Sequence, residues 1–260
     1  MGTNILPKYC KNCPRIHYGV CSGIVKILSK TKKFHSIKLQ TVPAKKHLFY
    51  QYESPVKTYI LREGWMLLTQ LSAQGKRQVI RSVLPGDLLS FQTDVEKAFS
   101  YSAIAIEESV VCTVPDLFNM CCQSPELSLK LLWEEVRERD LAEHYMTNIA
   151  HRNALEKVAF MALELYHRLE TRGLNNGYII PFPLKQEDIA DTLGLTAIHV
   201  NRTLHQLQAD NLLSLHKHKL SILDYEKLTA LVNQGQSQPN TGKSPTIPCL
   251  TEDGLAKQLN

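Results

Sequence analysis

The chain has 260 residues, 43% of them hydrophobic, with a formal net charge of +5 and seven cysteines. This length suffices for one large or two modest domains, and no apolar run approaches the roughly 20 residues that a membrane span requires. The N-terminus has no apolar signal-peptide core, so we expect a cytoplasmic protein without a membrane partner, in a compartment where grouped cysteines favour metal or redox roles over disulfides.

Residues 1–33 form a short leader that carries three of the cysteines. Cys10, Cys13 and Cys21 are spaced C-x2-C-x7-C, and the leader ends in a basic run. Such thiolates can hold an iron–sulfur cluster, or zinc with either a further cysteine or His17 as the fourth ligand. A flexible tail with unused thiols is the third interpretation, and the leader alone does not choose among them.

Residues 34–123 are predicted to form a β-roll sensor domain. Short apolar and β-branched segments alternate with turn signals such as Glu63-Gly64 and Pro85-Gly86, at intervals of about ten residues. This rhythm is typical of a small all-β barrel or roll. The stretch YILREGWMLLTQL, followed by GKRQVIRSVLPGDLL, predicts a strand, a turn and two further strands.

Residues 124–151 are predicted to form a long dimerisation helix. Ser124-Pro125 suits a helix start, and the sequence then continues without glycine to Gly173, with a break expected near Arg152-Asn153. A heptad-like stripe runs along one face, interrupted in its middle by charge. The predicted apolar dimer contacts are Leu129, Leu132, Val136 and Met146. A solvated helix face is the alternative interpretation of this stripe.

Residues 152–232 contain the strongest functional pattern, QEDIADTLGLTAIHVNRTLHQLQ. Ala190 lies four residues before Gly194, and Val200 lies six residues after it. This spacing is typical of a helix-turn-helix, because a small residue allows close helix approach, glycine forms the turn, and a β-branched residue packs into the core. The stretch NLLSLHKHKLSIL then predicts a two-stranded wing. Residues 233–260 are polar and are predicted to be a disordered tail.

The second helix of such a unit enters the major groove of double-stranded DNA. Arg202 suits guanine and Asn201 suits adenine, each through a bidentate hydrogen bond. Gln186 and Thr196 lie near helix starts and suit phosphates, as do the lysines of the wing tip. The full set of predicted DNA contacts is Gln186, Thr196, Ile198, His199, Asn201, Arg202, His205, Lys217 and Lys219.

The order of a β-roll, a long helix and a winged helix-turn-helix resembles the Crp/Fnr family of bacterial transcription regulators over roughly residues 10–230. LPGDLL resembles the turn before the family's effector-binding segment, and QEDIADTLGLT and VNRTL resemble its DNA-binding motif. The resemblance implies an α+β fold with a cyclic-nucleotide-binding-like jelly roll and a homodimer paired through the long helices. It also implies a near-palindromic operator with half-sites about one helical turn apart, and RNA polymerase as a partner. No nucleotide-binding glycine loop, nucleophile elbow or metalloprotease helix indicates an enzyme.

The segment after LPGDLL bears on the effector. Cyclic-nucleotide members of the family carry an arginine there that pairs with the cyclic phosphate. Here SFQTDVEKAFSYSAIAI holds no arginine and presents Asp94 and Glu96, which would repel a phosphate. We therefore do not expect a cyclic nucleotide.

The cysteines resemble those of the oxygen-sensing, FNR-type members. CPRIHYGVC looks like one branch of those sensors, and AIAIEESVVC, which ends at Cys112, resembles the segment that carries a fourth ligand. The resemblance implies a [4Fe–4S] cluster on Cys10, Cys13, Cys21 and Cys112, with one thiolate per iron. Such a cluster would form at low oxygen, hold the leader against the roll and strengthen pairing of the long helices.

Two features keep an alternative open. Cys112 can simply pack in the core, in a regulator of the same fold that responds to haem, to a small metabolite or to nothing. Cys121 and Cys122, between the roll and the long helix, are assigned to packing. Ile198 and Asn201 also stand where FNR-type recognition helices carry glutamate and serine. Isoleucine can contact only a thymine methyl or no base at all, so we expect an operator different from the FNR-type one.

Overall fold

A computed structural model describes residues 10, 13, 16, 19–31, 37–54, 57–90, 98–114 and 116–233. The chain divides into two compact units between Val136 and Arg137. His17, the acidic pair at 94 and 96, and the tail after residue 233 lie outside the described residues. Across the described part of the chain, no helix has the length and apolar character needed to cross a membrane.

The first unit is a roll of two antiparallel, four-stranded sheets. A helix, α1 (Gly19–Thr31), precedes eight strands: β1 (Lys38–Val42), β2 (His47–Phe49), β3 (Thr58–Glu63), β4 (Met66–Leu71), β5 (Arg77–Val83), β6 (Leu88–Leu89), β7 (Ser102–Ala105) and β8 (Ser109–Val114). One sheet has the order β1-β8-β3-β6 and the other β2-β7-β4-β5. The strand, turn and strands predicted around Gly64 are confirmed as β3, β4 and β5.

Strand alternation in the β3–β8 pair creates two cores. Leu61 pairs with Val111, and both point into the interior of the roll, where neither is exposed. Their neighbours Ile60 and Cys112 are also paired, but because successive side chains alternate they point to the opposite face. That face, together with α1, forms a second core.

The helix α1 lies in the leader, for which the sequence analysis predicted no secondary structure. Val20, Ile24 and Leu28 recur at helical spacing and are all buried, each at most 4% exposed. Their burial against the outer face of the β3–β8 sheet explains why this short segment is helical. The described part of the leader therefore includes a helix that packs against the roll.

Two helices follow the roll: α2 (Leu117–Gln123) and α3 (Pro125–His151), which has 27 residues and extends from the first unit into the second. A further helix, α4 (Ala154–Glu170), begins after a two-residue gap. Asn153 caps α4, because its side chain accepts from the Glu156 amide at 3.0 Å while the Glu156 carboxylate accepts from the Asn153 amide at 3.1 Å. This capping box explains why the helical stretch breaks at Asn153.

The second unit continues from α4 with β9 (Ile179–Pro181), α5 (Gln186–Leu193), α6 (Ala197–Ala209), β10 (Leu213–His216), β11 (Lys219–Ile222) and α7 (Tyr225–Asn233). The predicted two-stranded wing is wrong in one respect, because β9 pairs with β11 and makes a three-stranded sheet. Strand β9 has three residues and ends in a proline, which lacks an N–H donor, so its sequence carries little strand signal.

Candidate functional site: a thiol cavity and a DNA-reading face

The four cysteines predicted as ligands line one cavity in the first unit. Cys10 and Cys13 lie on consecutive turns, in which the Cys13 amide donates to the Cys10 carbonyl at 3.1 Å. Cys21 lies on α1 and Cys112 on β8. The rest of the lining is aliphatic and consists of Ile16, Ile24, Val25, Ile37, Ile60 and Val114. Four thiols that are distant in sequence thus face a common, apolar space.

The surroundings disfavour free thiolates. Burial, followed by the nearby Cys13 and Cys10 thiols, raises the pKa of Cys112 to about 12. The pKa of Cys21 is raised further, first by burial and then by the neighbouring cysteines. Burial and Cys13 also raise the pKa of Cys10, although the Arg62 guanidinium acts to lower it. Burial thus favours the protonated thiols, and a bound metal centre would supply the charge that favours the thiolates.

Four cysteine thiols are a donor set that two kinds of metal centre use. Among the described residues, no group of three or more His, Cys, Asp or Glu side chains is arranged to hold a metal ion. A mononuclear zinc site requires all four sulfurs about 2.3 Å from one atom. In a cubane cluster each thiolate binds a different iron, so the sulfurs stand farther apart around a larger guest. The four thiols that line the cavity match both centres in number and type of ligand.

The two neighbouring cysteines on α2 differ from each other. Cys121 is partly buried against the same core as α1, as expected for a packing residue. Cys122 is exposed, so its assignment to packing is wrong. The two adjacent positions lie on different sides of a short helix, and the sequence spacing alone does not identify the buried side.

Helix α1 packs antiparallel against the first half of α3. Lys26 forms an ion pair with Glu126, and the Lys130 ammonium donates to the Ser22 hydroxyl at 2.9 Å. A β-carbon on Gly23 would lie only 2.8 Å from the Leu127 Cδ1 atom, so a larger residue here would force the Leu127 side chain to move.

The start of α1 meets a buried acid. Glu134 of α3 is 9% exposed, and its Oε1 atom would lie 2.6 Å from a β-carbon on Gly19. A carboxylate at a helix N-terminus is favourably placed relative to the helix dipole. The helix that carries Cys21 is thereby joined along its length to the long helix.

The stripe predicted for dimerisation is exposed. Leu129, Leu132 and Met146 are 54%, 60% and 64% exposed, and Val136 is half-buried. In the middle of the stripe, Arg139 and Glu143 form an ion pair at 3.7 Å. Three of the four side chains predicted as dimer contacts are therefore accessible at the surface of α3.

The helix-turn-helix has the predicted geometry. Gly194 ends α5 in the left-handed conformation with φ of 65°, and the Leu195 amide donates to the Ala190 carbonyl at 3.0 Å. Ala190 and Val200 are 4% and 0% exposed, as expected for the contact between the two helices. Thr196 caps α6, its hydroxyl accepting from the His199 amide at 3.2 Å. The predicted phosphate contact of Thr196 therefore depends on a hydroxyl that already has this structural role.

The outer face of α6 carries the predicted base-reading side chains. Ile198 is 69% exposed, an unusual environment for an isoleucine near a helix start. Asn201 is half-buried, and its amide donates to Gln186 on α5 at 3.1 Å, a link that the sequence analysis did not predict. The remaining predicted contacts on this helix, His199, Arg202 and His205, are exposed.

The wing tip is a two-residue turn between β10 and β11. Lys217 and His218 form it with φ of 47° and 59°, a left-handed conformation uncommon for side chains of this size. The Phe182 amide donates to the His218 carbonyl at 2.7 Å and so anchors the tip to the segment after β9. Lys217 and Lys219 are both exposed, as a contact to the DNA backbone requires.

Comparison with known families covers both units. A model of the cyclic nucleotide-binding domain matches residues 39–124, and a model of the Crp-like helix-turn-helix domain matches residues 156–231. Among similar proteins, the transcriptional activatory protein AadR of Rhodopseudomonas palustris is 31% identical over 190 residues, which span 72% of this chain and 78% of AadR. The nitrogen fixation regulation protein FixK of Bradyrhizobium diazoefficiens is 27% identical over 225 residues, or 86% of this chain and 93% of FixK.

A solved structure shares the fold. FixK2 from Bradyrhizobium japonicum superposes with a TM-score of 0.68 at 24% sequence identity, covering 75% of this chain and 96% of FixK2. The predicted α+β architecture, a roll followed by helices and a winged helix-turn-helix, is therefore confirmed.

Proposed function

Since the chain belongs to the Crp/Fnr family of transcription regulators, which bind DNA and are not enzymes, we propose that it is a homodimeric sensor of oxygen or redox state. Its ligands for an iron–sulfur cluster are Cys10, Cys13, Cys21 and Cys112. The single observation that carries this proposal is the convergence of these four thiols on one apolar cavity.

When bound, the cluster supplies an oxygen-labile centre that joins four separate points of the chain. The protein's contribution is to hold those points together. Cys10 and Cys13 belong to the leader turns, Cys21 to α1 and Cys112 to the sheet, so ligation at all four ties the leader to the roll. Loss of the ligands' bonds to the cluster would free the leader from the roll. The aliphatic lining of the cavity would limit access of water while the cluster is bound.

The packing of α1 supports a route from the thiols to the long helix. Gly23 and Gly19 bring α1 against Leu127 and Glu134 of α3, while Lys130 and Ser22 add a hydrogen bond. Order in α1 therefore stabilises the first half of α3. The apolar stripe lies on that same helix, and pairing of two stripes produces the dimer that places two recognition helices one helical turn apart.

The charged centre of the stripe weakens pairing of the two α3 helices, so that the state of the leader can control dimerisation. Arg139 and Glu143 interrupt the apolar row and must lose water when two helices pair. A coupling of a few kcal/mol from the leader is enough to shift such an equilibrium.

On the DNA side, the two-fold dimer reads a near-palindromic operator. Arg202 reads guanine, Asn201 reads adenine, and Ile198 contacts a thymine methyl, because an exposed isoleucine has no hydrogen bond to offer a base. Lys217 and Lys219 neutralise phosphates beside the groove. RNA polymerase is the partner that a bound regulator of this family would meet at a promoter.

The test is a visible absorption spectrum of protein purified without oxygen, with iron and sulfide analysis. We expect a brown sample with about four iron and four sulfide per chain that bleaches in air. A colourless protein containing zinc would assign the thiols to a structural site, and a metal-free protein would transfer the sensing role to another effector. Either result would contradict the proposal while leaving DNA binding intact.

A further inference from the structure

A side-chain hydrogen bond joins the two helices of the DNA-binding motif at their outer face. The Asn201 Nδ2 group donates to the Gln186 Oε1 atom at 3.1 Å. Gln186 is the first residue of α5, and Asn201 lies in the second turn of α6 beside the exposed Arg202. Gln186 is exposed and Asn201 half-buried, so the bond lies at the surface.

We propose that Gln186 is a positioning residue that fixes the Asn201 amide in the one orientation that reads adenine. This inference rests on the proposed DNA contact of α6 and assigns a base to one of its residues. The oxygen and nitrogen ends of an asparagine amide have nearly the same shape, so rotation by half a turn exchanges donor and acceptor. The Gln186 amide has the same two ends, but a DNA phosphate can only accept hydrogen bonds. In the complex the phosphate would hold the Nε2 end of Gln186 and leave its Oε1 atom to accept from the Asn201 Nδ2 group, as in the structure.

After the bond to Gln186 is made, the Asn201 amide still has one donor and one acceptor for a base. An amide nitrogen carries two protons, and only one of them goes to Gln186. The other proton and the Oδ1 acceptor remain for a base. Adenine offers a matching acceptor, N7, beside a matching donor, the N6 amino group.

The other bases do not match this pair of a donor and an acceptor. Guanine presents two acceptors in the major groove, thymine presents one acceptor and a methyl group, and cytosine presents a donor alone. A fixed amide therefore discriminates for adenine, whereas a freely rotating one loses part of that discrimination.

Gln186 also connects base reading with backbone contact. The bond to Asn201 uses its Oε1 atom and leaves the Nε2 group to donate to a phosphate oxygen near the N-terminus of α5. One side chain then sets the position of the protein on the backbone and the orientation of a base reader.

A simple staple between α5 and α6 is the competing role. The interior contact between the two helices is already made by Ala190, Leu193 and Val200, each at most 4% exposed. A staple would affect the thermal midpoint of unfolding, whereas a positioning residue affects base preference. The two roles therefore have separate readouts.

The experiment uses the full-length protein in the state that binds DNA best. Wild-type protein first selects its preferred duplex from a randomised pool, and binding is then measured with each base placed at every position. Asn201→Ala should lower the preference for adenine by about 5- to 150-fold at one position per half-site. Gln186→Ala should lower the preference at that same position by roughly 2- to 10-fold.

A conservative variant separates the acceptor from the rest of the side chain. Gln186→Glu keeps an acceptor for the Asn201 proton, so the adenine preference should persist even though overall affinity falls near the phosphates. Gln186→Ala combined with Asn201→Ala should show no further loss at this position. Replacing the adenine with 7-deazaadenine should weaken wild-type binding but not binding by Asn201→Ala.

Each other outcome overturns the inference in a recognisable way. Uniform loss of affinity by Gln186→Ala, with base preference intact, would make Gln186 a phosphate contact only. A lower thermal midpoint with unchanged preference would make it a staple, and an Asn201 position that prefers another base would refute the adenine assignment. If the wild-type protein selects no sequence at all, the proposed operator recognition fails first, and the inference fails with it.

Discussion

The thiol cavity and the DNA-reading face are built in opposite ways. The DNA-reading face comes from one local stretch, α5 to the wing, and its side chains are exposed apart from the half-buried Asn201. The thiol cavity draws Cys10, Cys13, Cys21 and Cys112 from turns, a helix and a strand, and surrounds them with aliphatic side chains. Each substitution on the DNA-reading face should therefore remove part of the DNA affinity. Substitution of any one of the four cysteines should instead remove the proposed cluster altogether.

The largest effect is expected from removing one ligand. Cys112→Ser replaces a thiolate with a hydroxyl, a poor iron ligand, and should abolish cluster binding together with the oxygen response. Cys122→Ser is the matched control, because Cys122 is exposed and does not line the cavity. Iron and sulfide per chain measure both. Full iron content in Cys112→Ser, or loss of iron in Cys122→Ser, would contradict the assignment of the cavity cysteines as the ligands.

The next effect concerns the stripe on α3. Leu132→Glu places a charge in each half of the proposed seam and should weaken dimerisation by about 3 kcal/mol or more, at least roughly 100-fold. Leu71→Glu is the control, since Leu71 is 53% exposed on the roll and outside α3. Sedimentation at several concentrations distinguishes monomer from dimer. A Leu132→Glu protein that remains dimeric would mean that another face forms the seam.

On the DNA side, Arg202→Ala should weaken binding to the operator by about 1–3 kcal/mol and remove the preference for guanine at one position. The reason is the loss of a bidentate pair with the base. Titrations on operator and random duplexes at one salt concentration check this. Equal loss on both would make Arg202 a phosphate contact.

Substitutions where α1 packs against α3 test whether α1 links the thiol cavity to dimerisation. Gly23→Val inserts atoms where a β-carbon already lies 2.8 Å from Leu127 and should lower the free energy of unfolding by about 1–3 kcal/mol. Ser22→Ala, which loses the bond from Lys130 and the bond that the Ser22 hydroxyl donates to the Gly19 carbonyl, should cost about 0.5–1.5 kcal/mol for each bond. We expect Gly23→Val to retain iron while its dimerisation responds less to oxygen. A wild-type oxygen response in this variant would rule out the route through α1.

The smallest effect is expected at the wing. Changing Lys217 and Lys219 to alanine should reduce the slope of log affinity against log salt by about 2 while the preferred sequence stays the same. Titrations at four salt concentrations give the slope. A changed base preference would show that the wing reads sequence.

The predictability of the two regions follows from their construction. The helix-turn-helix was predictable because Ala190, Gly194 and Val200 have a fixed spacing with a physical reason at each position. The cavity was predictable only through resemblance, since nothing local to Cys112 connects it with Cys21. Helix α1 was missed because its glycines and β-branched residues have low helix propensity, and its stability comes from burial against the sheet. Strand β9 and the Gln186–Asn201 bond depend on tertiary contacts that spacing does not reveal.

The most direct test of the account is the operator affinity of a single oxygen-free sample, measured before and after exposure to air. We predict that the wild-type affinity falls by about 5- to 150-fold as the visible absorption is lost. Cys112→Ser should bind weakly and equally in both conditions. Equal wild-type affinity before and after bleaching would contradict the claim that these four thiols control DNA binding.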